Sequence, residues 1–325
     1  MSIASVPNTR WSKNNLKDLL LRNTMVFILF IIFVFFTIKN SEFATLGNFR
    51  AVLIAAAPFA LIALGQTLVI LTGGIDLSVG SIIAVSAMSG AYVAVNKTEN
   101  IWIAALVGIL VGTVAGLING LIIAILNVPP FVTTLGMLAA ASGFAYFIGN
   151  GAPINGLPEE WERIANTKFF GFQTPVLVMF LGFIILAIVM KRTSFGLQIY
   201  ATGGNRSAAE IAGVNTRKIL ISVYVLSGFL AGLSGVILSS RVISGPPNLG
   251  SGYELGAIAA VVIGGASLSG GRGTIWGTFL GLLLIQTLNN GLDILIVPAY
   301  WQKVISGVLI VSAVTIDAIS MRRSR

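Results

Sequence analysis

Ten apolar runs, most of them near the roughly 20 residues a helix needs to cross a bilayer, follow one another along this chain and restrict its fold more than any other feature. They lie at 22–39, 50–72, 78–95, 101–126, 131–149, 174–190, 219–239, 254–268, 273–292 and 300–319. With 56% hydrophobic and 10% charged residues, the chain has too little polar surface to cover a water-soluble globule. The expected fold is all-α, a polytopic membrane bundle of about ten transmembrane helices, with 1–325 forming one transmembrane domain. The run at 254–268 is short and would cross only with tilt or local thinning. The apolar run after the long basic head lacks a small-x-small cleavage site, so it reads as a retained helix.

Charge supplies orientation. Of 20 Lys and Arg, thirteen fall in the segments that an even count of crossings puts inside: Arg10, Lys13, Lys17, Arg22, Lys191, Arg192, Arg206, Arg217, Lys218, Arg272, Arg322, Arg323 and Arg325. Such a surplus marks the cytoplasmic side. Both termini are therefore expected in the cytoplasm, with 1–23 as an N-terminal cytoplasmic segment, 191–218 as a cytoplasmic loop, and 149–174 and 239–253 as external loops. The acids Glu42, Glu99, Glu159, Glu160, Glu162, Glu254 and Asp293 fall outside. The net charge of +9 is thus explained without nucleic acid. Absence of cysteine and histidine removes thiolate chemistry, Cys-based metal sites, and the usual general base and proton relay.

The loop from Lys191 to Lys218 is the one long polar interval of the second half. Asn205 or Ser207 can cap a short helix through Ser207, Ala208, Ala209, Glu210, Ile211 and Ala212, with Gly213 as terminator. A short helix offered to the cytosol reads as a docking element. Outside, Gly149 to Thr174, with Asn150, Asn155 and the aromatic residues Trp161, Phe169, Phe170 and Phe172, is expected to fold over the mouth with its rings at the interface. Ser239 to Tyr253, with Pro246 and Asn248, is a Gly, Pro and Ser-rich loop free to adapt to a partner.

Glycines recur at small-xxx-small spacing, as at Gly112, Gly116, Gly228 and Gly232, which permits close helix packing. More specific is an internal echo. Gly73, Gly74, Asp76, Ser78 and Gly80 stand in the pattern GG-x-x-L-S-x-G, and Gly264, Gly265, Ser267, Ser269 and Gly271 repeat it 264 − 73 = 191 residues later. Paired glycine-broken segments point to a duplicated transporter, and both ending on the same side makes the repeat parallel. These positions are the candidate helix breaks along the translocation route. For Asp76 the expected role is a local cap or hydrogen bond.

No lysine follows a glycine, so a Walker A motif is absent and the energy source lies in another chain or an ion gradient. Ion coupling needs intramembrane carboxylates or histidines. Asp76, Glu254 and Asp293 all fall at the ends of the apolar runs, which favours the external driver.

The segments Gln66 to Gly80, Pro129 to Gly136, Ala201 to Asn205 with Ala208, Ala209, Ala212, Gly213 and Val214, Tyr253 to Leu255, and Gly264 to Gly273 resemble the permease subunit of ribose-type sugar ABC importers. The resemblance runs in order over nearly the whole chain; Val214 and Arg272 are small departures. It implies a bacterial cytoplasmic-membrane permease that is not an enzyme and carries no cofactor. It implies a second copy as homodimer partner, a cytoplasmic ABC ATPase subunit, often with two fused ATPase domains, and an extracytoplasmic sugar-binding protein. By the same resemblance, Asn205, Ser207, Ala208, Ala209, Glu210, Ala212 and Gly213 form the ATPase-coupling helix. Asn150, Asn155, Pro246, Asn248 and Tyr253 are candidates for facing the binding protein. A branched-chain amino-acid ABC permease and an ion-coupled carrier are the alternative readings.

Overall fold

Several helices of this chain start where a side chain or a proline settles the first unpaired backbone N–H groups. The computed structural model describes residues 24–323. The segment 1–23, with Arg10, Lys13, Lys17 and Arg22, and the terminal Ser324 and Arg325 lie outside the described residues. Helix α1 (Thr24–Lys39) leads through a 3-10 turn (Ser41–Ala44) to α2 (Leu46–Leu71), where Thr45 Oγ1 accepts from the Asn48 N–H at 3.2 Å. Next come α3 (Val79–Asn96) and α4 (Ile101–Ile125), the latter capped by Asn100. Prolines open α5 (Pro130–Ile148) and α7 (Thr174–Arg192). Between these two stand α6 (Glu159–Asn166) and an antiparallel hairpin of β1 (Lys168–Phe169) and β2 (Phe172–Gln173), with Lys168 opposite Gln173. The order closes with α8 (Ser194–Gly204), α9 (Arg206–Ile211), α10 (Thr216–Val242), α11 (Tyr253–Ile263), α12 (Ile275–Ile294) and α13 (Ala299–Arg323).

Six of these, α2, α3, α4, α5, α7 and α10, are long and apolar enough to cross a membrane, and the chain is a multi-pass membrane protein. Leu106, Leu110, Val114, Leu117 and Leu121 form an exposed apolar stripe on α4, and Leu181, Ile184, Ile185 and Ile188 form another on α7. Helix α2 is the axis of the bundle: every residue from Ala56 to Leu71 is buried, as expected of a helix apolar on all sides. Pro58 interrupts its ladder, because proline has no N–H to give the Ile54 carbonyl. The Arg241 guanidinium from α10 donates to that carbonyl at 3.2 Å instead, and Ser234 Oγ donates to the Pro58 carbonyl at 2.9 Å. Helices α4 and α10 touch backbone to backbone. A Cβ on Gly112 would stand 2.7 Å from the Gly228 oxygen and 2.7 Å from the Gly232 Cα, so these glycines let the two helices approach closely.

Two expectations for the end of the bundle opposite α9 need correction. Trp161 is not an interfacial ring but fully buried, with Nε1 donating to Ser239 Oγ at 3.3 Å, while Ser240 Oγ donates to the Trp161 carbonyl at 2.6 Å. The amphipathic turn of α6 presses it against Gly90, where its ring would lie 3.2 Å from an added Cβ. Phe170, in the hairpin turn, is 98% exposed. Second, the segment after α10 is no simple surface loop. Gly245 pairs with Ile154 (N–H to O, 2.9 and 3.0 Å), then the chain turns back into the bundle. A Cβ on Gly250 would meet the Gly80 oxygen at 2.9 Å, and Tyr253 packs edge-on against Phe59, with centroids 5.6 Å apart. Phe59 lies near the midpoint of α2. Helix α11 therefore begins at mid-level, and its 11 residues span only about 16 Å at ~1.5 Å per residue, roughly half of a ~30 Å hydrocarbon core.

Candidate functional site

Two helices of the bundle stop with the same device at the same place. At the end of α2, Gly73 has φ +82°, its N–H bonds to the Ile70 oxygen at 2.9 Å, and the Gly74 N–H bonds to the Val69 oxygen at 3.1 Å. At the end of α11, Gly265 has φ +89°, its N–H bonds to the Val262 oxygen at 2.9 Å, and the Ala266 N–H to the Val261 oxygen at 3.1 Å. Both are Schellman ends. Their equivalence pairs Gly73 with Gly265, an offset of 265 − 73 = 192, whereas the letter pattern pairs Gly73 with Gly264 at 191. The register of the echo is corrected by one residue, because the left-handed position decides it.

The two ends meet. The Gly271 N–H donates to the Leu71 oxygen at 2.9 Å, and a Cβ on Gly270 would stand 2.9 Å from the Gly73 nitrogen. Helix α8 enters the same spot: a Cβ on Gly203 would collide with the Leu71 oxygen and lie 2.8 Å from the Gly271 nitrogen. Tyr200 on α8 also donates to the Gly273 oxygen at 2.9 Å. Three backbone segments thus share one junction without side chains between them. Ser267 and Ser269 lie in the second break, where the Ser267 N–H bonds to the Arg272 oxygen at 2.9 Å.

Beyond the first break the chain runs extended back into the bundle. Thr134 Oγ1 holds the Ile75 oxygen at 3.1 Å. Asp76 stands between the end of α2 and the start of α3, and its side chain is fully buried. Oδ1 accepts from the Ser78 N–H (2.9 Å) and Ser78 Oγ (2.6 Å), and Oδ2 from Ser227 Oγ (3.0 Å) near the middle of α10. Asn119 Nδ2 donates to Ser78 Oγ at 2.9 Å. Gln66, with its amide oriented by the surrounding hydrogen bonds, brackets the Asp76 peptide at 3.0 and 3.2 Å. Asp76 and Ser78 together tie α2, α3, α4 and α10 to one another, and a buried charge is tolerated only with such partners.

The polar loop folds as a capped hook. Asn205 Oδ1 accepts from the Ala208 N–H at 3.0 Å, so Asn205 is the cap and Ser207 lies within the first turn. Gly213, φ +86°, closes α9, with the Val214 N–H on the Ala209 oxygen at 2.9 Å. Ala209 faces the protein's own interior, while Ser207, Ala208, Glu210 and Ala212 face out. Ile211, outside the expected set, is 89% exposed. Helical periodicity contains that signal, since residues two apart lie on opposite faces. Glu210 Oε1 accepts from Thr216 Oγ1 and lies 3.2 Å from Arg206 Nε. The Thr216 bond, then Arg206, hold its carboxyl below the usual carboxylate range. The resulting stabilisation is present above the ordinary carboxylate pKa and is lost as pH falls through the lowered one.

Thr216 itself, although it lies in the polar loop, is 2% exposed. Thr216→Val is expected to speed amide exchange at Ala208, Gly213 and Val214 several-fold, whereas Thr216→Ser preserves protection. Equal exchange in the two variants would show that the hydroxyl does not anchor the hook.

Of the remaining candidates, Asn150 and Asn155 are exposed, the latter accepting from Ser244 Oγ at 2.8 Å. Pro246 and Tyr253 are half-buried and Asn248 is exposed. Among the described residues, no group of three or more carboxylates could hold a metal ion.

Several known proteins are similar to this chain over most of its length. The family described as Branched-chain amino acid transport system / permease component matches residues 48–314. The Ribose import permease protein RbsC of Bacillus subtilis (strain 168) is 43% identical over 291 residues, 89% of this chain and 90% of that protein. The protein of the same name from Escherichia coli (strain K12) is 39% identical over 307 residues, 93% and 95% of the two chains. The L-arabinose transport system permease protein AraH of Escherichia coli (strain K12) is 34% identical over 301 residues, 93% and 92%. No solved structure matches the chain.

Proposed function

Because the chain belongs to the family described as Branched-chain amino acid transport system / permease component, we propose that it is the membrane subunit of an ATP-driven sugar importer working by alternating access. Sugar is favoured over amino acid by the relatives' names, two for ribose and one for L-arabinose, and ribose is the first solute to test. The carrying observation for the mechanism is the shared junction. The residues just before α9, Gly203 and Gly204, touch the backbone of both breaks, so force applied to α9 is delivered to two equivalent parts of the bundle at once. In this reading a cytoplasmic ATPase chain docks on the 191–218 loop, and its closure switches the bundle between outward-open and inward-open states.

The rest of the architecture follows. Residues 1–325 act as one transmembrane domain. The crossing helices are α1 to α5, α7 and α10 to α13, with α11 as a half-span and both termini cytoplasmic. Asn150 and Asn155 face an extracytoplasmic sugar-binding protein, and a second copy completes the transporter.

Reconstitution tests the reading. Uptake of ribose into proteoliposomes is expected to require the ATPase chain, ATP and the loaded binding protein; uptake driven by an ion gradient alone would overturn the proposal. Uptake of leucine in place of any sugar would move the protein to the amino-acid branch. In intact cells, Ser207→Cys is expected to resist an impermeant thiol reagent that labels Asn155→Cys, and labelling of Ser207→Cys from outside would reverse the topology.

A further inference from the structure

Irregular backbone at membrane depth is tolerated only where protein buries it or water fills the space beside it. The stretch from Pro246 to Gly252 is irregular and lies level with the middle of α2, with Gly250 against Gly80 and Tyr253 against the mid-helix Phe59. Yet Asn248, Ser251 and Gly252 are exposed, and Glu254 is only half-buried. Surfaces meant for lipid look different here: the exposed stripes of α4 and α7 carry Leu110, Val114, Ile184, Ile185 and Ile188 without a polar side chain among them. The turn satisfies much of its own backbone, with the Leu249 N–H on the Pro246 oxygen and the Ser251 N–H on the Asn248 oxygen, but lipid would leave the side-chain amide of Asn248 and the hydroxyl of Ser251 without partners, at a cost of several kcal/mol for each group. This patch is therefore made for water.

We propose that residues 246–254 form one wall of a water-filled solute pathway at the middle of the membrane, and that Asn248, Ser251 and Glu254 are its contacts for sugar hydroxyls. The inference rests on the sugar-permease reading and adds to it the residues that meet the solute. In the dimer of that reading, the matching wall belongs to the second copy. The chemistry suits a polyhydroxylated solute. A carboxylate accepts from two hydroxyls, an amide both donates and accepts, and a serine adapts to either role. Glu254 has room because Gly80 lacks a Cβ: the space such an atom would take is filled by the Glu254 carboxylate. The packed rings of Tyr253 and Phe59 stiffen the wall behind it. Few contacts and a wet surface also fit a pathway, where binding has to be weak enough for release.

The assembled transporter, permease with its ATPase in proteoliposomes, gives the test. The cysteine-free chain allows Asn248→Cys, Ser251→Cys and the lipid-stripe control Leu110→Cys to be treated with a small anionic methanethiosulfonate. A thiol reacts as thiolate, which needs water. Asn248→Cys and Ser251→Cys are expected to react at least about tenfold faster than Leu110→Cys and to lose ribose uptake once modified, while the ATPase remains bound. Glu254→Gln is expected to raise the KM for ribose and change the preference between ribose and L-arabinose. Labelling at 248 and 251 as slow as at 110, or full uptake after complete modification, would overturn the wall. Fast labelling in a protein that, unsubstituted, moves no sugar would instead overturn the sugar reading and keep the aqueous wall.

Discussion

Ile211→Asp is expected to leave the protein inserted in the membrane but unable to hold its ATPase. Ile211 is 89% exposed at the end of a helix whose other side is fastened down by buried Ala209, the Asn205 cap and the Glu210–Thr216 bond. A large apolar side chain held out on a capped hook is available to a surface that receives it. Burying such a side chain is worth about 1.5–3 kcal/mol, and placing a carboxylate in the same pocket adds a desolvation cost. A loss above about 2 kcal/mol is roughly thirty-fold in affinity. The readouts are co-purification of the ATPase and its stimulation by loaded binding protein. Ala212→Ser is expected to be mild. Ala209→Trp fails by another route, by prising α9 off its own protein, so it does not report on the interface. Normal assembly and import by Ile211→Asp would mean that α9 is not where the ATPase docks.

Gly203→Ala is the second large effect, and Gly204→Ala is its control. At Gly203 one methyl group would run into the Leu71 carbonyl and sit 2.8 Å from the Gly271 nitrogen. Both obstacles are backbone, so no side chain can swing away. Helix α8 has to move off the junction, at the cost of about 1–3 kcal/mol that is typical of overpacking. One residue on, a Cβ at Gly204 would meet nothing within 4 Å. Gly203→Ala is expected to bind the ATPase yet import about a tenth as fast or less, which at roughly 1.4 kcal/mol per factor of ten lies within that cost. Gly204→Ala is expected to stay near the unsubstituted rate. Equal uptake by the two, at equal membrane levels, would show that the junction does not carry the stroke.

The helices are legible in the sequence, since each of the ten apolar runs overlaps one, and length with apolarity marks six of them as able to cross a membrane. The capped hook is legible from Asn205 and Gly213, whose side-chain and backbone preferences are local. What escapes depends on partners distant in sequence. Asp76 looks like a purely local cap until Ser227 is brought to its second oxygen. Thr216 looks exposed until Glu210 folds back, and Trp161 looks interfacial until Ser239 and Ser240 receive it. Pro246 to Gly252 has the composition of a surface loop, and nothing local tells a loop that leaves the bundle from one that turns back in. The one-residue slip in the echo has the same origin: matching letters is blind to which glycine takes positive φ, and that glycine sets the helix end.

Pro58 has a mechanical consequence. A helix resists bending through its own ladder of bonds, and at Ile54 that rung is missing and is replaced by one to Arg241 on α10. The stiffness of the most buried helix, close to the level of Phe59, is therefore set by a neighbour. A bend in α2 cannot grow without stretching a bond to α10, so the two helices flex as a pair. Lysine at position 241 would keep the charge but lose the planar fork that holds the carbonyl, leaving α2 with a looser joint at its waist.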